Sequence, residues 1–161
     1  MALDMFIKID DIKGESLDAK HKDEIDVLSW NWGMAQINNP QPGPGGGTGG
    51  RVSIKDLTII KRTDRATPGL MLACSNGKHL KEATLTVRKA GEKPIEFVRM
   101  KLNDIIVSSL DACSCGDEPV LTEQLTLNFS KIQFEYFRQK PDGTTEPATT
   151  FKWDYKLNKA G

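Results

Sequence analysis

The sequence predicts a mainly β protein, an antiparallel β-barrel of two sheets with one short α-helix. Apolar side chains alternate with polar ones in several segments, two stretches change the face that carries the apolar residues, and one segment has helix start and stop signals. A period of two is typical of strands with one buried and one solvated face, as in antiparallel sheets. A change of face requires a bend or an extra residue, and such bends allow a sheet to curl into a barrel.

Four segments show the alternation most clearly, and in each the large apolar residues share one parity. The segments are 5–10, 28–35, 83–88 and 151–157. In the second of them, the predicted apolar face consists of Leu28, Trp30, Trp32 and Met34. Ser29 and Asn31 have the opposite parity, so we expect their side chains to point away from the core.

Two stretches change parity. In the longer one, Leu125, Leu127 and Phe129 are followed by Ile132, Phe134 and Tyr136. We therefore expect a bulge or bend near Ser130–Lys131. Another shift, near Lys55–Asp56, separates Val52 and Ile54 from Leu57 and Ile59.

One segment carries helix signals. Thr67 is an N-cap candidate, Pro68 stands at the first helical position, and Gly77 lies just past the end. We expect a short helix over residues 70–76 docked against the barrel. Its Met71 and Cys74 are then interpreted as core-packing residues.

Residues 38–50 form a low-complexity segment in which nine of thirteen residues are glycine or proline. Such a segment has little apolar surface to bury, so we expect a mobile loop between two strands. The chain otherwise shows no repeat and no linker, which predicts a single domain over residues 1–161.

Composition argues against several classes of function. The 22 basic residues balance the 22 acidic ones, without the basic excess of a duplex-binding domain. No apolar run is long enough for a membrane span, and the N-terminus shows no signal-peptide pattern. A single-stranded nucleic-acid binder would need exposed aromatic platforms, whereas most aromatics here share the apolar parity of their strands.

The sequence also shows no strong candidate for a catalytic, metal-binding or cofactor-binding site. The three cysteines, Cys74, Cys113 and Cys115, are an odd number, which favours a reducing compartment. Cys113 and Cys115 lack the usual zinc spacing and His21 and His79 are far apart in sequence, so we expect surface thiols in a loop and no metal. No serine lies in a nucleophile-elbow pattern, and the glycine-rich loop lacks the lysine of a nucleotide-binding loop. We expect neither catalytic residues nor a cofactor.

The order of several segments resembles the Hcp (haemolysin-coregulated protein) family of the bacterial type VI secretion system, along essentially the whole chain. The segments that carry the likeness are 4–9, 13–16, 24–34, 67–79, 83–91, 107–109 and 121–129. The resemblance implies an Hcp-like β-barrel and a structural subunit, not an enzyme. The alternative is a monomeric cytosolic β-barrel binding module.

The resemblance further implies a homohexameric ring, stacked into a hollow tube inside a contractile sheath and tipped by a VgrG-type spike protein. Contraction of the sheath would expel the tube from a Gram-negative cell, with small effector proteins in its lumen. This delivery of effectors would contribute to virulence. The protein would be cytoplasmic before firing and then secreted. Nucleic acid and membrane insertion are not expected.

Two sets of residues are candidates for these roles. Ser29 and Asn31 could line the lumen and hold cargo, since they point away from the apolar face; the alternative is that they only keep that face soluble. The glycine-rich loop could order when it meets a neighbouring ring, at an entropic cost that makes single contacts weak. Its candidate stacking residues are Asn38, Asn39, Gln41, Gly45, Gly46, Gly47 and Thr48.

Overall fold

The computed structural model describes residues 2–36, 50–113 and 120–161. This part of the chain contains one helix and nine strands. The strands are β1 (Leu3–Ile9), β2 (Ile25–Asn31), β3 (Met34–Gln36), β4 (Val52–Ile54), β5 (Leu57–Arg62), β6 (Leu80–Lys89), β7 (Ile95–Cys113), β8 (Thr122–Tyr136) and β9 (Thr149–Asp154). The helix, α1 (Thr67–Asn76), lies between β5 and β6.

Six strands close into a barrel. The order β5-β2-β1-β6-β7-β8 is completed by pairing between β5 and β8, and all neighbours are antiparallel. Strand β9 extends the sheet beyond β8, while β3 and β4 form a separate two-stranded sheet. The predicted antiparallel barrel of two sheets with one helix is confirmed.

Aliphatic side chains fill the barrel. Fully buried members are Ile7, Ile25, Leu57, Ile59, Leu85, Leu125 and Leu127. Each comes from the inward parity of its strand, so the alternation in the sequence is the direct cause of this core. Any channel must therefore be formed by the outside of several barrels.

The predicted change of face near Ser130 is present, and both paired strands share it. Leu102 pairs with Ile132 and Ile105 pairs with Phe129, and all four are buried. The register is the same on both sides of this point, so no residue is inserted here in either strand; the register of this pair shifts further along, between Val107 and Ser109. The predicted bend is correct, and its cause is a matched change in β7 and β8. The other predicted shift, near Lys55–Asp56, is the break between β4 and β5.

The predicted apolar face of segment 28–35 is only half correct. Trp30 and Trp32 pack against the core, but Leu28 and Met34 are 40% and 45% exposed. The pairing of β2 with β5 shifts register between Val27 and Ser29, and this bulge turns Leu28 outward. A local irregularity thus overrides the alternation.

The C-terminal alternation is also shorter than the sequence suggests. Strand β9 ends at Asp154, and a turn follows in which Asp154 and Lys159 form an antiparallel bridge. Leu157, which the alternation places on the apolar face, is exposed.

Helix α1 begins three residues earlier than predicted. Its N-cap is Ala66, not Thr67. The Thr67 hydroxyl oxygen accepts from the Asp64 N–H at 3.2 Å, and its O–H donates to Glu123 at 2.7 Å. Gly77 ends the helix in the left-handed conformation at φ 64°, as predicted. The core-packing interpretation of Met71 is wrong, because this side chain is 46% exposed, whereas Cys74 packs at the core margin.

Two predictions concern residues that the structure describes in part. Of the glycine-rich segment 38–50, only Gly50 belongs to the described residues, so the predicted mobility stays a prediction. Cys115 also lies outside them. Cys113 is exposed, but it is the last residue of β7 and not part of a loop. In the described ranges, no helix has the length and hydropathy to cross a membrane.

Candidate assembly and channel surfaces

Ser29 and Asn31 belong to a polar surface that extends across three strands. Asn31 is paired with Thr58 of β5, and Thr58 is paired with Thr126 of β8. The inward neighbours on these strands, such as Ile59, are buried, so the polar members of each pair face outward. Ser29 and Asn31 are both exposed. The structure therefore places both predicted residues on one outward face.

Hydroxyl and amide groups continue this face onto β7 and β8. The Thr126 hydroxyl lies 2.8 Å from the Ser108 hydroxyl and 2.5 Å from that of Ser109. Ser108 also donates to Asp56 Oδ2 at 2.7 Å, and Asn128 Nδ2 donates to Asp56 Oδ1 at 3.0 Å. We define the neutral wall as Ser29, Asn31, Thr58, Ser108, Thr126 and Asn128. Sequence reasoning found only the first two of these, although each of the others is a polar residue on the outward parity of its strand.

The opposite side of the barrel has a different chemistry. Outward residues of β1, β6 and β7 border a groove of about 380 Å³. Its charged members include Lys8, Glu82, Glu96, Arg99 and Lys101. Arg99 pairs with Glu96 and, at 3.3 Å, with Glu135 of β8. We call this side the charged wall. The exterior of the barrel is therefore two-sided, with one face rich in ion pairs and one rich in neutral hydrogen-bonding groups.

The segment between β1 and β2 is fastened to the barrel through Phe6. The His21 ring stacks on the Phe6 ring at 4.5 Å, and the Arg88 guanidinium lies 4.9 Å from the same ring. Arg88 also bonds to Asp18, and this hydrogen bond holds the pKa of Asp18 at about 2, while Asp18 raises the pKa of Arg88. The alternation in β1 places Phe6 on the outward face, so the sequence did not predict this contact. The ring that covers Phe6 is that of His21, from the segment between β1 and β2.

A buried ionic network joins the helix to the barrel seam where β5 meets β8. The Lys61 and Glu123 side chains are both 0% exposed and form an ion pair. Lys61 Nζ also lies 2.9 Å from Asp64 Oδ1 and 2.9 Å from the Arg62 carbonyl oxygen. The Thr67 hydroxyl donates to Glu123 at 2.7 Å. The pair is well satisfied, and Thr67, the first residue of α1, connects the helix to the seam through Glu123.

Asp104 is a second point of convergence. Its carboxylate accepts hydrogen bonds from Ser130 Oγ at 2.8 Å and from Lys156, and lies 2.8 Å from His79 Nδ1. These donors, Lys156 first, hold the pKa of Asp104 well below its usual range. Asp104 adopts a left-handed conformation with φ 55°, at the level where β7 changes face. The helix exit, the bend and the C-terminal turn are thereby tied together.

This cluster does not have the geometry of a hydrolase. Ser130 donates to the carboxylate of Asp104 and not to His79, and a carboxylate whose pKa is lowered by Lys156 is a weak base for activating a hydroxyl. Nor do three or more His, Cys, Asp or Glu side chains converge as metal ligands within the described ranges. The contacts that the structure shows here join β7, β8, the helix exit and the C-terminal turn.

The base of the glycine-rich loop is held by side-chain contacts to main-chain oxygens. Gln36 Nε2 donates to the Gly50 carbonyl, and Arg51 donates to the Tyr155 carbonyl at 2.5 Å. The described residues that flank this segment, Gln36 and Gly50, thus lie close to each other, and Arg51 contacts the C-terminal turn. The candidate stacking residues at 38, 39, 41 and 45–48 lie outside the described residues.

Comparisons with known proteins agree with one another. Residues 6–136 match the model of the family described as type VI secretion system effector, Hcp. The chain is 47% identical to protein hcp1 of Pseudomonas aeruginosa, with 98% of each chain covered. It is similar to the crystal structure of Hcp1 from Salmonella typhimurium at 36% identity and a TM-score of 0.78, with both chains fully covered. A type six secretion system protein at 26% identity has a TM-score of 0.91 over 99% of this chain and 100% of that one.

Proposed function

The chain belongs to the Hcp family of type VI secretion tube proteins, and on that premise we propose that six copies close head-to-tail into a ring whose stacked copies form a hollow tube. The observation that carries the proposal is the 47% identity to a Pseudomonas Hcp1 over 98% of both chains. A structural role, and not catalysis, is then the proposed activity. A contact between different surfaces of one subunit can close into a ring, and rings with different ends can stack without limit.

The two ends of the barrel differ, as directional stacking requires. Helix α1 connects the end of β5 to the start of β6, so it lies at the end where β1 finishes. Exposed apolar side chains at the helix end include Met71, Leu72 and Leu121. Those toward the opposite end include Leu3, Leu28 and Met34. Exposed apolar patches favour protein–protein contacts, and the patches at the two ends differ from each other. They therefore favour a contact between the helix end of one copy and the opposite end of the next.

The wider assembly follows from the same proposal. The partners are further copies of the chain, a contractile sheath, a VgrG-type spike and small effector proteins carried in the lumen. The protein is held in the cytoplasm until the sheath contracts and is then released outside the cell. A two-sided exterior is suitable for such a subunit, since the lumen and the outside of a tube contact different partners.

Ring formation is tested by size-exclusion chromatography with light scattering and negative-stain microscopy. We expect annular particles of about six subunit masses. A homogeneous monomer at high protein concentration, without rings under any associating condition, would instead support the monomeric binding module.

The proposed stacking loop is tested by replacing residues 38–49 with a two-residue turn. Rings should persist, because the six-stranded barrel does not include this segment, while growth into tubes should be impaired. A variant with a shuffled loop of the same length and composition separates loop length from sequence. Tube assembly at the parental rate in the shortened variant would refute the stacking role.

The proposed lumen residues are tested with Asn31→Gln. The longer side chain should reduce recovery of a co-expressed effector with the purified rings, because it changes the shape of the neutral wall. Thr84→Gln is a matched control, since Thr84 belongs to the charged wall. Equal effector recovery from Asn31→Gln and the parent would remove the assignment.

A further inference from the structure

The carboxylate of Asp56 is bonded to two residues of the neutral wall and adds a negative charge beside it. Its two oxygens accept hydrogen bonds from Ser108 Oγ at 2.7 Å and from Asn128 Nδ2 at 3.0 Å. Both donors are uncharged. The ion pairs formed among residues 2–36, 50–113 and 120–161 do not include Asp56. Asp56 therefore has a fixed orientation, and no cation among the described residues forms an ion pair with it.

Two other fixed carboxylates, those of Asp18 and Asp104, are arranged differently. Asp18 is paired with Arg88, and Asp104 is contacted by Lys156. Those carboxylates have a cation inside the same subunit and are suited to holding the fold. Asp56 has neutral donors that orient it but do not neutralise it, and each carboxylate oxygen has a second acceptor position.

The position of Asp56 links it to the candidate cargo residues. Asp56 lies two residues before Thr58, which is paired with Asn31. Through Ser108 its hydrogen bonds reach Thr126, which is paired with Thr58 from the other side. Asp56 and Asn31 therefore belong to one continuous outward surface.

We propose that Asp56, held by Ser108 and Asn128 on the neutral wall, is a binding site for a lysine or arginine side chain of a protein carried in the channel. The inference rests on the proposed function, because the neutral wall must face the lumen. Ring closure then places six copies of the carboxylate around one channel. Rings of acidic side chains favour cations, and several weak contacts on one ligand bind it more tightly than a single contact.

The contact is well matched to a reversible holding role. A single exposed ion pair is weak, because water screens the charges and the long cationic side chain loses freedom. Orientation of Asp56 by its two neutral donors lowers the entropic cost on the protein side. Several such pairs retain a cationic partner inside the channel and still release it when the surroundings change. The affinity must fall as salt concentration rises.

The experiment uses the assembled full-length protein and two fluorescein-labelled peptides, one a glycine-serine-lysine repeat and one a glycine-serine-glutamate repeat. Fluorescence anisotropy measures binding at low and high salt. We expect the lysine peptide to bind and the glutamate peptide not to bind. Asp56→Asn should weaken binding of the lysine peptide about fivefold or more, which is the scale of one weak ion pair repeated around a ring.

Two control variants decide the location of the site. Asp56→Glu retains the negative charge and should keep most of the binding, while Glu82→Gln removes a negative charge from the charged wall and should leave binding unchanged. Unchanged binding in Asp56→Asn, or an equal loss in Glu82→Gln, would overturn the proposal. Light scattering on the same samples distinguishes a failure of the proposed ring from a failure of the proposed Asp56 site. Monomeric parent protein contradicts the ring, whereas intact rings that bind both peptides equally contradict the site alone.

Discussion

The buried pair of Lys61 and Glu123 gives the sharpest test of how the helix is fixed to the barrel. Replacing Lys61 with methionine leaves the fully buried Glu123 carboxylate without its cation, and only hydroxyl groups such as that of Thr67 remain as donors. Removing one partner of a buried ion pair costs about 3–5 kcal/mol. Glu123→Gln should cost less, about 1–3 kcal/mol, because Lys61 keeps Asp64 as a partner and the amide oxygen can still accept from Thr67.

The double variant separates the pair from its surroundings. Lys61→Met combined with Glu123→Gln removes both charges of the fully buried pair, and only Asp64, whose side chain is 10% exposed, still loses its cation. Its cost should therefore be smaller than the sum of the single costs by about 2 kcal/mol. Lys8→Met is a control, since Lys8 is exposed, and its stability should stay within about 0.5 kcal/mol of the parent.

The assay is urea unfolding followed by tryptophan fluorescence, at one protein concentration and with the assembly state checked, because association shifts apparent stability. For a chain of this size, a cost of 3–5 kcal/mol corresponds to a fall in Tm of roughly 6–20 °C. A loss below about 1 kcal/mol in Lys61→Met, or strict additivity in the double variant, would refute the reasoning.

Three further predictions concern the connecting segments, and thermal unfolding measures each. The folded-state pKa of Asp18, about 2, is below the ordinary 3.8, so this group stabilises the fold above pH 3.8 and the contribution is lost as the pH falls towards 2. Arg88→Met should flatten this pH dependence of stability. An unchanged slope would contradict the role of Arg88 in lowering the pKa of Asp18. Gly14→Ala should cost roughly 1–3 kcal/mol, because a Cβ at this position would lie 2.4 Å from a backbone carbonyl oxygen. Gly33→Ala, where a Cβ meets nothing within 4 Å, is its control, and equal losses in both would count against the steric argument. Gly77→Ala should cost about 1–2 kcal/mol, since a side chain is forced into the left-handed conformation, and a neutral effect would show that the helix end relaxes.

The sequence predicted those parts of the fold that depend on local pattern. The barrel and the bend at Ser130 follow from parity, and the helix end follows from the conformational freedom of Gly77. The errors arose where distant contacts decide. Thr67 has the chemistry of an N-cap, but its hydroxyl oxygen accepts from Lys61 Nζ and its O–H donates to Glu123 of β8. Leu28 has the parity of a core residue, but the register shift with β5 turns it outward.

The sequence predicted less of the candidate site than of the fold, again because contacts between distant residues decide it. Ser29 and Asn31 could be placed on an outward face from the alternation of one strand. Thr58 and Thr126 join that face only because β5 pairs with both β2 and β8, and a single sequence does not specify which strands close a barrel. Asp56 looks like an ordinary turn residue until its hydrogen bonds to Ser108 and Asn128 are known.

The simultaneous change of face in β7 and β8 constrains how this protein can vary. Since the register stays constant through Asp104 and Ser130, a deletion or insertion in one strand at this level would shift every later pair by one position. Such a shift would exchange Phe129 or Ile132 with a polar neighbour in the core. An unmatched residue in this part of the barrel must therefore be absorbed by a bulge, as in β7 between Val107 and Ser109, and longer insertions should be accommodated in the connecting segments.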